Sequence, residues 1–489
     1  MAASQWSFAT AVEATKALAT KEISAVELTQ HAIDRIERHD SKINAICVRD
    51  FDRALDASRA ADAALARGER KPLLGIPLTV KESYNVAGLP TTWGFPAHKN
   101  FIAAEDALSI TRVKDAGGVV LGKTNVPLGL GDWQSYNEIY GTTNNPFDLG
   151  RTPGGSSGGS SAALAAGYGP LSLGSDIGGS LRAPAFHCGV YAHKPTFGLV
   201  APRGHTPPPF PPIVADRDLA VVGPMARSAA DLSLLLDVIA GPDPLEAGKA
   251  YRLELPAPRH KSLKDFRVLL ITTDPVIPTD KAVRGAIETL ADNLDKADVS
   301  VVRESPLLPD FAASSRLYMR MLLSFLGGTF PQESYDGAKA AAAKLSADDN
   351  SLGAERLRGI ALSHREWVIA DGMRARLRAQ WRELFNSFDA VICPIMPTPA
   401  FLHDHSPDQE LRRLKIDGID HVYTDQLAWP GIATLPGLPS TAIPLGLAGG
   451  LPVGVQIVGP WLEDRTPLKL AELIEREFGG FVPPPMFAD

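Results

Sequence analysis

The sequence predicts an α/β fold layered around a mostly buried central β-sheet, and three observations carry that reading. Charge-free, β-branched runs recur along the chain, helix-patterned segments alternate with them, and helix-start signals precede several of those segments. In chain order, Ile23-Ser24-Ala25-Val26-Glu27-Leu28 fits a capping box: Ser24 accepts from the first turn, Glu27 reaches back, and Ile23 staples onto Leu28. A helix follows to about Ala45, and an alanine-rich one runs from Asp52 to about Ala66, ending near Gly68. Gly75-Ile-Pro-Leu-Thr-Val80 reads as a buried strand, which leaves Lys81 where a core strand ends. Ala107–Ala116 is a short helix closed by Gly117 and Gly118, Val119–Gly122 a strand, Ser161–Ala166 a small-residue helix and Leu171–Gly174 a strand.

Ser228 caps an apolar helix ending at Gly241; Phe266–Thr272 is then a strand, Thr279–Ala297 a helix and Val299–Val302 a strand. Phe311–Phe330 is helical and rich in Met, Leu and Phe, and further helices run to about Phe388. Strands at Ala390–Cys393, Thr441–Leu445 and Val453–Val458 precede a final helix from about Asp464. One sheet-centred domain over residues 1–489 is expected, with a helical N-terminal segment to about residue 70, a core at about 71–230 and a more variable helical region at about 305–390. Pro202–Pro212 reads as a surface loop rather than a linker, because strands resume on both sides of it.

Composition narrows the function. A net charge of −7 without a long Lys/Arg run supplies no field for phosphate backbones, so no nucleic acid partner is expected. Cys47, Cys188 and Cys393 are scattered and odd in number, which suits a reducing compartment and three small buried side chains. The N-terminus lacks the basic-then-apolar order of a secretory signal, and the uncharged stretch Thr152–Ser175, though long enough to cross a bilayer, holds too much Gly and Ser to span one. A cytoplasmic chain without membrane association is expected.

Two stretches place serine inside glycine clusters: Thr152-Pro-Gly-Gly-Ser-Ser-Gly-Gly-Ser-Ser161 and Gly174-Ser-Asp-Ile-Gly-Gly-Ser-Leu-Arg182. Glycine there lets backbone N–H groups approach a ligand. A flexible linker has the same composition, but a linker is not followed at once by a helix-forming run and a core strand. The residues also fail the phosphate-loop patterns. Gly154-x-Ser156-x-Gly158 matches a nucleophile elbow formally, yet Ser156 follows loop sequence where an elbow follows a strand.

The Gly-Gly-Ser-Ser-Gly-Gly string, followed 24 positions after Ser156 by Ser180 of Asp-Ile-Gly-Gly-Ser, strongly resembles the amidase signature family. Further similar pieces occur in the family's order: Gly75-Ile-Pro-Leu-Thr-Val-Lys81, Gly122-Lys-Thr-Asn-Val-Pro127, Gly141-Thr-Thr-Asn-Asn-Pro146, His193-Lys-Pro-Thr-Phe-Gly198, Gly223-Pro-Met-Ala-Arg227 and Pro452-Val-Gly-Val-Gln-Ile457. The resemblance implies a mixed central sheet with helices on both faces, and a Ser–Ser–Lys triad. Ser180 would be the nucleophile, Ser156 a proton relay preceded by a cis peptide after Gly155, and Lys81 the base. The N–H groups of Ile177, Gly178, Gly179 and Ser180 would form an oxyanion hole. Ser157, Asp176 and Arg182 would support them, and Leu130 to Asp132 would lie along the substrate cleft.

These residue types suit amide cleavage. A hydroxyl at neutral pH needs a neighbouring base, and an amine serves only when neutral. That requires lowering a lysine pKa of about 10.4 by roughly three units, or about 4 kcal/mol, which burial can supply. His187 and His193 lack metal-ligand spacing and read as structural, so no metal and no cofactor is expected; Cys188 reads as core, and the His403, Asp404, His405 cluster as solvated surface. The expected substrate is a small aryl or alkyl amide, from the apolar content of Tyr318–Phe330, most of which reads as core, and from Trp133 and Tyr136 beside the cleft. Homodimerisation is left open. The rival reading is the glutamine-hydrolysing component of a tRNA-dependent amidotransferase, in which the nucleophile motif usually continues Ser-Ile-Arg-Gln; here it reads Ser180-Leu-Arg-Ala183.

Overall fold

Ser24 and Glu27 close the predicted capping box, each bonding the other's backbone, and the helix runs Ala25–Ile43. The same device starts Ala11–Thr20 from Thr10 and His364–Ser387 from Ser363. The structure is a computed structural model describing residues 3–488 except 275. Its strands are β1 Ile46–Arg49, β2 Pro77–Lys81, β3 Val119–Thr124, β4 Tyr136–Asn137, β5 Gly141–Thr142, β6 Leu171–Asp176, β7 Tyr191–Lys194, β8 Val221–Ala226, β9 Arg267–Leu270, β10 Ser300–Val302, β11 Ala390–Cys393, β12 Arg413–Ile416, β13 Ile419–Val422, β14 Ser440–Ala448 and β15 Leu451–Val458. Eleven of them form one sheet in the order β1-β3-β2-β6-β8-β7-β14-β15-β11-β9-β10, and β4–β5 and β12–β13 are separate pairs.

The sheet is mixed. Strand β2 runs parallel to both β3 and β6, whereas β8 is antiparallel to β6 and β7. Successive side chains of a strand point to opposite faces, and the core divides accordingly. Val268 and Leu270, Ala390 and Ile392, and Ile457 join one apolar cluster with the helices Ala25–Ile43, Ala229–Ile239, Lys281–Lys296 and Arg465–Phe478. Leu269, Val391, Cys393 and Val458 join a second cluster with Phe311–Gly327, His364–Ser387 and Ala428–Thr434. Both faces of this part of the sheet are therefore covered, which explains why its strands read as continuous apolar runs.

Several elements carried little sequence signal. Strand β1 holds a cysteine and an arginine, β7 contains His193 and Lys194, and β8 is interrupted by Gly223 and Pro224, so none reads as a simple apolar run. The helix Arg182–Cys188 is seven residues long and fully buried, with no amphipathic period to detect. The cysteines are free; Cys188 and Cys393 are buried as expected, but Cys47 is only partly so. Among the described residues, no helix is long and apolar enough to cross a membrane.

The N-terminal helix is fastened by a distant carboxylate. Asp231 accepts from the N–H groups of Ala11 (2.8 Å) and Val12 (3.0 Å), donors that a helix start leaves unpaired. Asp231→Ala is expected to lower unfolding free energy by about 1–3 kcal/mol in a denaturant titration, with amide exchange accelerated over Ala11–Thr20. Unchanged protection there would contradict this anchoring.

Candidate active site

Sheet register brings the candidate residues together. Parallel pairing of β2 with β6 sets Thr79 beside Ser172 and Val80 beside Leu173, so Lys81 and Ser175 emerge at the same strand ends. Lys81 Nζ lies 2.6 Å from Ser156 Oγ and 3.0 Å from Ser175 Oγ. Lys81 is completely buried in the sheet interior. Burial lowers its pKa to about 7, against the opposing field of Asp176.

Ser156 lies in the loop before the helix Gly158–Ala165, and the peptide between Gly155 and Ser156 is cis. Gly155 has no alternative there: a Cβ would stand 2.4 Å from the Asp132 carbonyl oxygen and 2.8 Å from the Gln134 nitrogen. Ser180 lies in the turn after β6, and its carbonyl accepts from the Ser157 N–H at 3.2 Å, joining the two serine segments. The Ser180 side chain is buried beside this junction, and its hydroxyl bonds to no described residue.

Asp176 shapes the turn between them. Its carboxylate accepts from the N–H groups of Gly179 (2.9 Å) and Leu181 (3.1 Å) and is gripped from two sides by Arg182, at 2.9 and 3.0 Å. Burial pushes the Asp176 carboxyl up, but Arg182, Lys194 and the Gly179 N–H together outweigh it and hold the group below its usual range. Arg182 is itself fixed by Gln456, Thr434 and the Pro430 carbonyl. The Gly179 N–H, expected among the oxyanion donors, is thus directed at Asp176. Those of Ile177, Gly178 and Ser180 meet no acceptor among the described residues.

Ser157 Oγ lies 3.4 Å from both the nitrogen and the carbonyl oxygen of Ser175, beneath the turn. Leu130 takes a left-handed conformation (φ 61°) and is half-buried. Both Asp132 oxygens are occupied, by Tyr423 and Arg412 at 2.6 Å each, so this carboxylate braces the wall rather than offering itself to solvent. The side chains of Trp133 and Tyr318 reach the nucleophile turn: Trp133 donates to the Gly178 carbonyl at 2.9 Å and Tyr318 to that of Ile177 at 2.6 Å. Tyr136 instead accepts from Arg412 and stacks on His405, 3.7 Å between ring centroids. His193 is held by Thr441 and Asp464, and His187 lies against Phe186 and Phe401.

Sequence reasoning passed over Ser175, near the end of β6, whose hydroxyl meets Lys81 and whose backbone meets Ser157; the register sets Gly174 opposite Lys81, so alternation along the strand does not single Ser175 out. Arg412 and Tyr423 are remote in sequence and nothing local announces them; Tyr318 stands in the apolar run Tyr318–Phe330, but nothing local points to its bond with the nucleophile turn. Buried amine, paired hydroxyls and unspent N–H groups form a set suited to acyl transfer.

Residues 27–468 match the Amidase family model, and the chain belongs to that family of amide-hydrolysing enzymes. It is 34% identical to a component of the Glutamyl-tRNA(Gln) amidotransferase of Anaeromyxobacter sp. (strain K), covering 97% of each chain. It is 32% identical to the Fatty-acid amide hydrolase 2-A of Danio rerio, covering 97% of this chain and 89% of that one. Among solved structures, a protein from a vestigial complex tied to the origins of an s-triazine catabolic enzyme superposes with a TM-score of 0.80 at 28% identity, covering 97% of this chain and all of that one.

Because Asp176 and Arg182 are both fully buried, removing one leaves an uncompensated charge. Asp176→Ala is expected to destabilise the protein by about 3–5 kcal/mol in chemical denaturation. A loss under about 1 kcal/mol would contradict this role for the pair.

Proposed function

We propose that the protein hydrolyses carboxamides through a Ser180 acyl-enzyme, with Lys81 as base and Ser156 as proton relay. The observation that carries this reading is the buried Lys81 amine, 2.6 Å from Ser156 and with its pKa lowered to about 7. A neutral amine accepts the Ser156 proton as Ser156 takes that of Ser180, and the Ser180 oxygen bonds to the amide carbon. The N–H groups of Ile177, Gly178 and Ser180 stabilise the oxyanion, each such donor contributing about 3–4 kcal/mol. Collapse breaks the C–N bond while the relayed proton passes to the leaving amine. Water then attacks the ester by the same proton route and frees the acid and Ser180. Substrate binding turns the Ser180 hydroxyl toward Ser156, a tightening common at sites whose geometry is loose before binding.

Trp133 and Tyr318, fixed to the carbonyls of the nucleophile turn, support an aryl or alkyl amide of modest size as substrate. The amidotransferase relative supports a second reading, glutamine hydrolysis within a larger assembly. Ala183, buried in the short helix after Ser180, argues against it by standing where that branch usually carries glutamine. Turnover of anilides, aliphatic amides or carbamates by the purified single chain distinguishes the two; activity only with glutamine and partner chains would favour the second.

Ser180→Ala is expected to reduce turnover to background in this panel, and Ser156→Ala to lower kcat/KM by about 10²–10⁴-fold. Because only neutral Lys81 accepts a proton, kcat/KM is expected to rise with pH through a midpoint of about 7 and level off above it. A rate independent of pH between acid and base, with chemistry limiting, would contradict Lys81 as the base.

A further inference from the structure

Most of the deeply buried arginines are tied to carboxylates or backbone carbonyls, although the Nε of Arg227 has no partner among the described residues. Arg182 pairs with Asp176, Arg356 with Glu410 and Asp425, Arg374 with Asp218, and Arg412 with Asp132, while Arg227 donates to three backbone carbonyls. Arg217 differs. Its guanidinium lies 5.2 Å from the ring centroid of Trp93 and 5.4 Å from that of Phe325, and it donates to no described residue. The flanking acids are turned elsewhere: Asp218 bonds Arg374, and Asp216 faces Gly198. Burial lowers the Arg217 pKa with no carboxylate opposing it.

The two aromatic seats are fixed to opposite parts of the proposed machinery. Trp93 donates its backbone N–H to Glu82 at 2.9 Å and its indole N–H to the Ser83 carbonyl at 3.1 Å, the two residues that follow Lys81. Phe325 belongs to the helix Phe311–Gly327, whose Tyr318 hydroxyl donates to the Ile177 carbonyl in the nucleophile turn. Arg217 therefore rests between one ring fastened to the residues after Lys81 and another on the helix that reaches the Ser180 turn. Aromatic contact holds a guanidinium in place without using its planar fork of N–H donors, the arrangement that suits a carboxylate.

We propose that Arg217 is a substrate-recognition residue that binds a carboxylate carried by the amide substrate away from the bond to be cleaved. This rests on the amide-hydrolysis reading and narrows it to amides with an apolar body and an anionic end. Binding separates the two ideas. Half-anilides of succinic, glutaric and adipic acid, each beside its neutral primary amide, would be titrated calorimetrically into Ser180→Ala protein with and without Arg217→Gln. At least one acid is expected to bind about 10-fold or more tightly than its amide, and Arg217→Gln to abolish that preference. Arg217→Lys, which keeps the charge and loses the fork, is expected to retain part of it, and thermal melts confirm that each variant is folded. No preference across the series, or one that survives Arg217→Gln in folded protein, would overturn the proposal. Arg217-dependent binding of an acid that the unsubstituted enzyme never cleaves would instead count against the hydrolytic reading and leave the carboxylate site standing.

Discussion

The site depends on keeping a lysine amine out of water. Moving the Lys81 pKa from about 10.4 to about 7 corresponds to about 4–5 kcal/mol of disfavoured charge, a cost that only a fully enclosed position can impose. Strand β2 provides it, with β3 on one side and β6 on the other, so the amine has two serine hydroxyls as partners in place of solvent. Asp176 works in the opposite direction, since its negative charge favours an ammonium at position 81. The ion pair with Arg182 moderates that field while leaving Asp176 oxygens to fix the Gly179 and Leu181 N–H groups. Burial thus sets the charge of the base, while one buried pair tempers it and shapes the nucleophile turn.

Burial alone does not distinguish the base. Lys123 and Lys194 are equally enclosed, with pKa values lowered to about 8 and about 7. Their partners are different. Lys194 donates to the Pro195 carbonyl, and Lys123 to Thr91 and the Pro90 carbonyl, so neither faces a pair of serines. The distinguishing observation is geometric: Lys81 is the buried amine that sheet register places against the two glycine-rich segments.

Much of this was legible in the sequence because the informative signals are local. The capping box at Ser24, the charge-free run before Lys81 and the glycine clusters around Ser156 and Ser180 each combine their evidence within a few residues. What escaped is what the chain assembles from a distance. The bond from Tyr318 to Ile177, the clamp of Arg412 and Tyr423 on Asp132, and the aromatic seat of Arg217 join segments separated by a hundred residues or more. Gly179 shows a subtler limit: the string Gly178-Gly179 suggests two equivalent donors, whereas the turn points one of them at Asp176. Short buried elements such as Arg182–Cys188 escaped for another reason, since a helix enclosed on every side has no polar face to mark its period.

Direct titration of the Lys81 amine tests the central claim. With ¹⁵N-labelled lysine, the side-chain resonance lost in Lys81→Met identifies position 81, and its shift can be followed across pH. A midpoint near 7 is expected, with the amine largely uncharged in mildly alkaline solution. A midpoint near the ordinary lysine value of about 10.4 would mean that the amine remains an ammonium at working pH, and the proposed base would be lost.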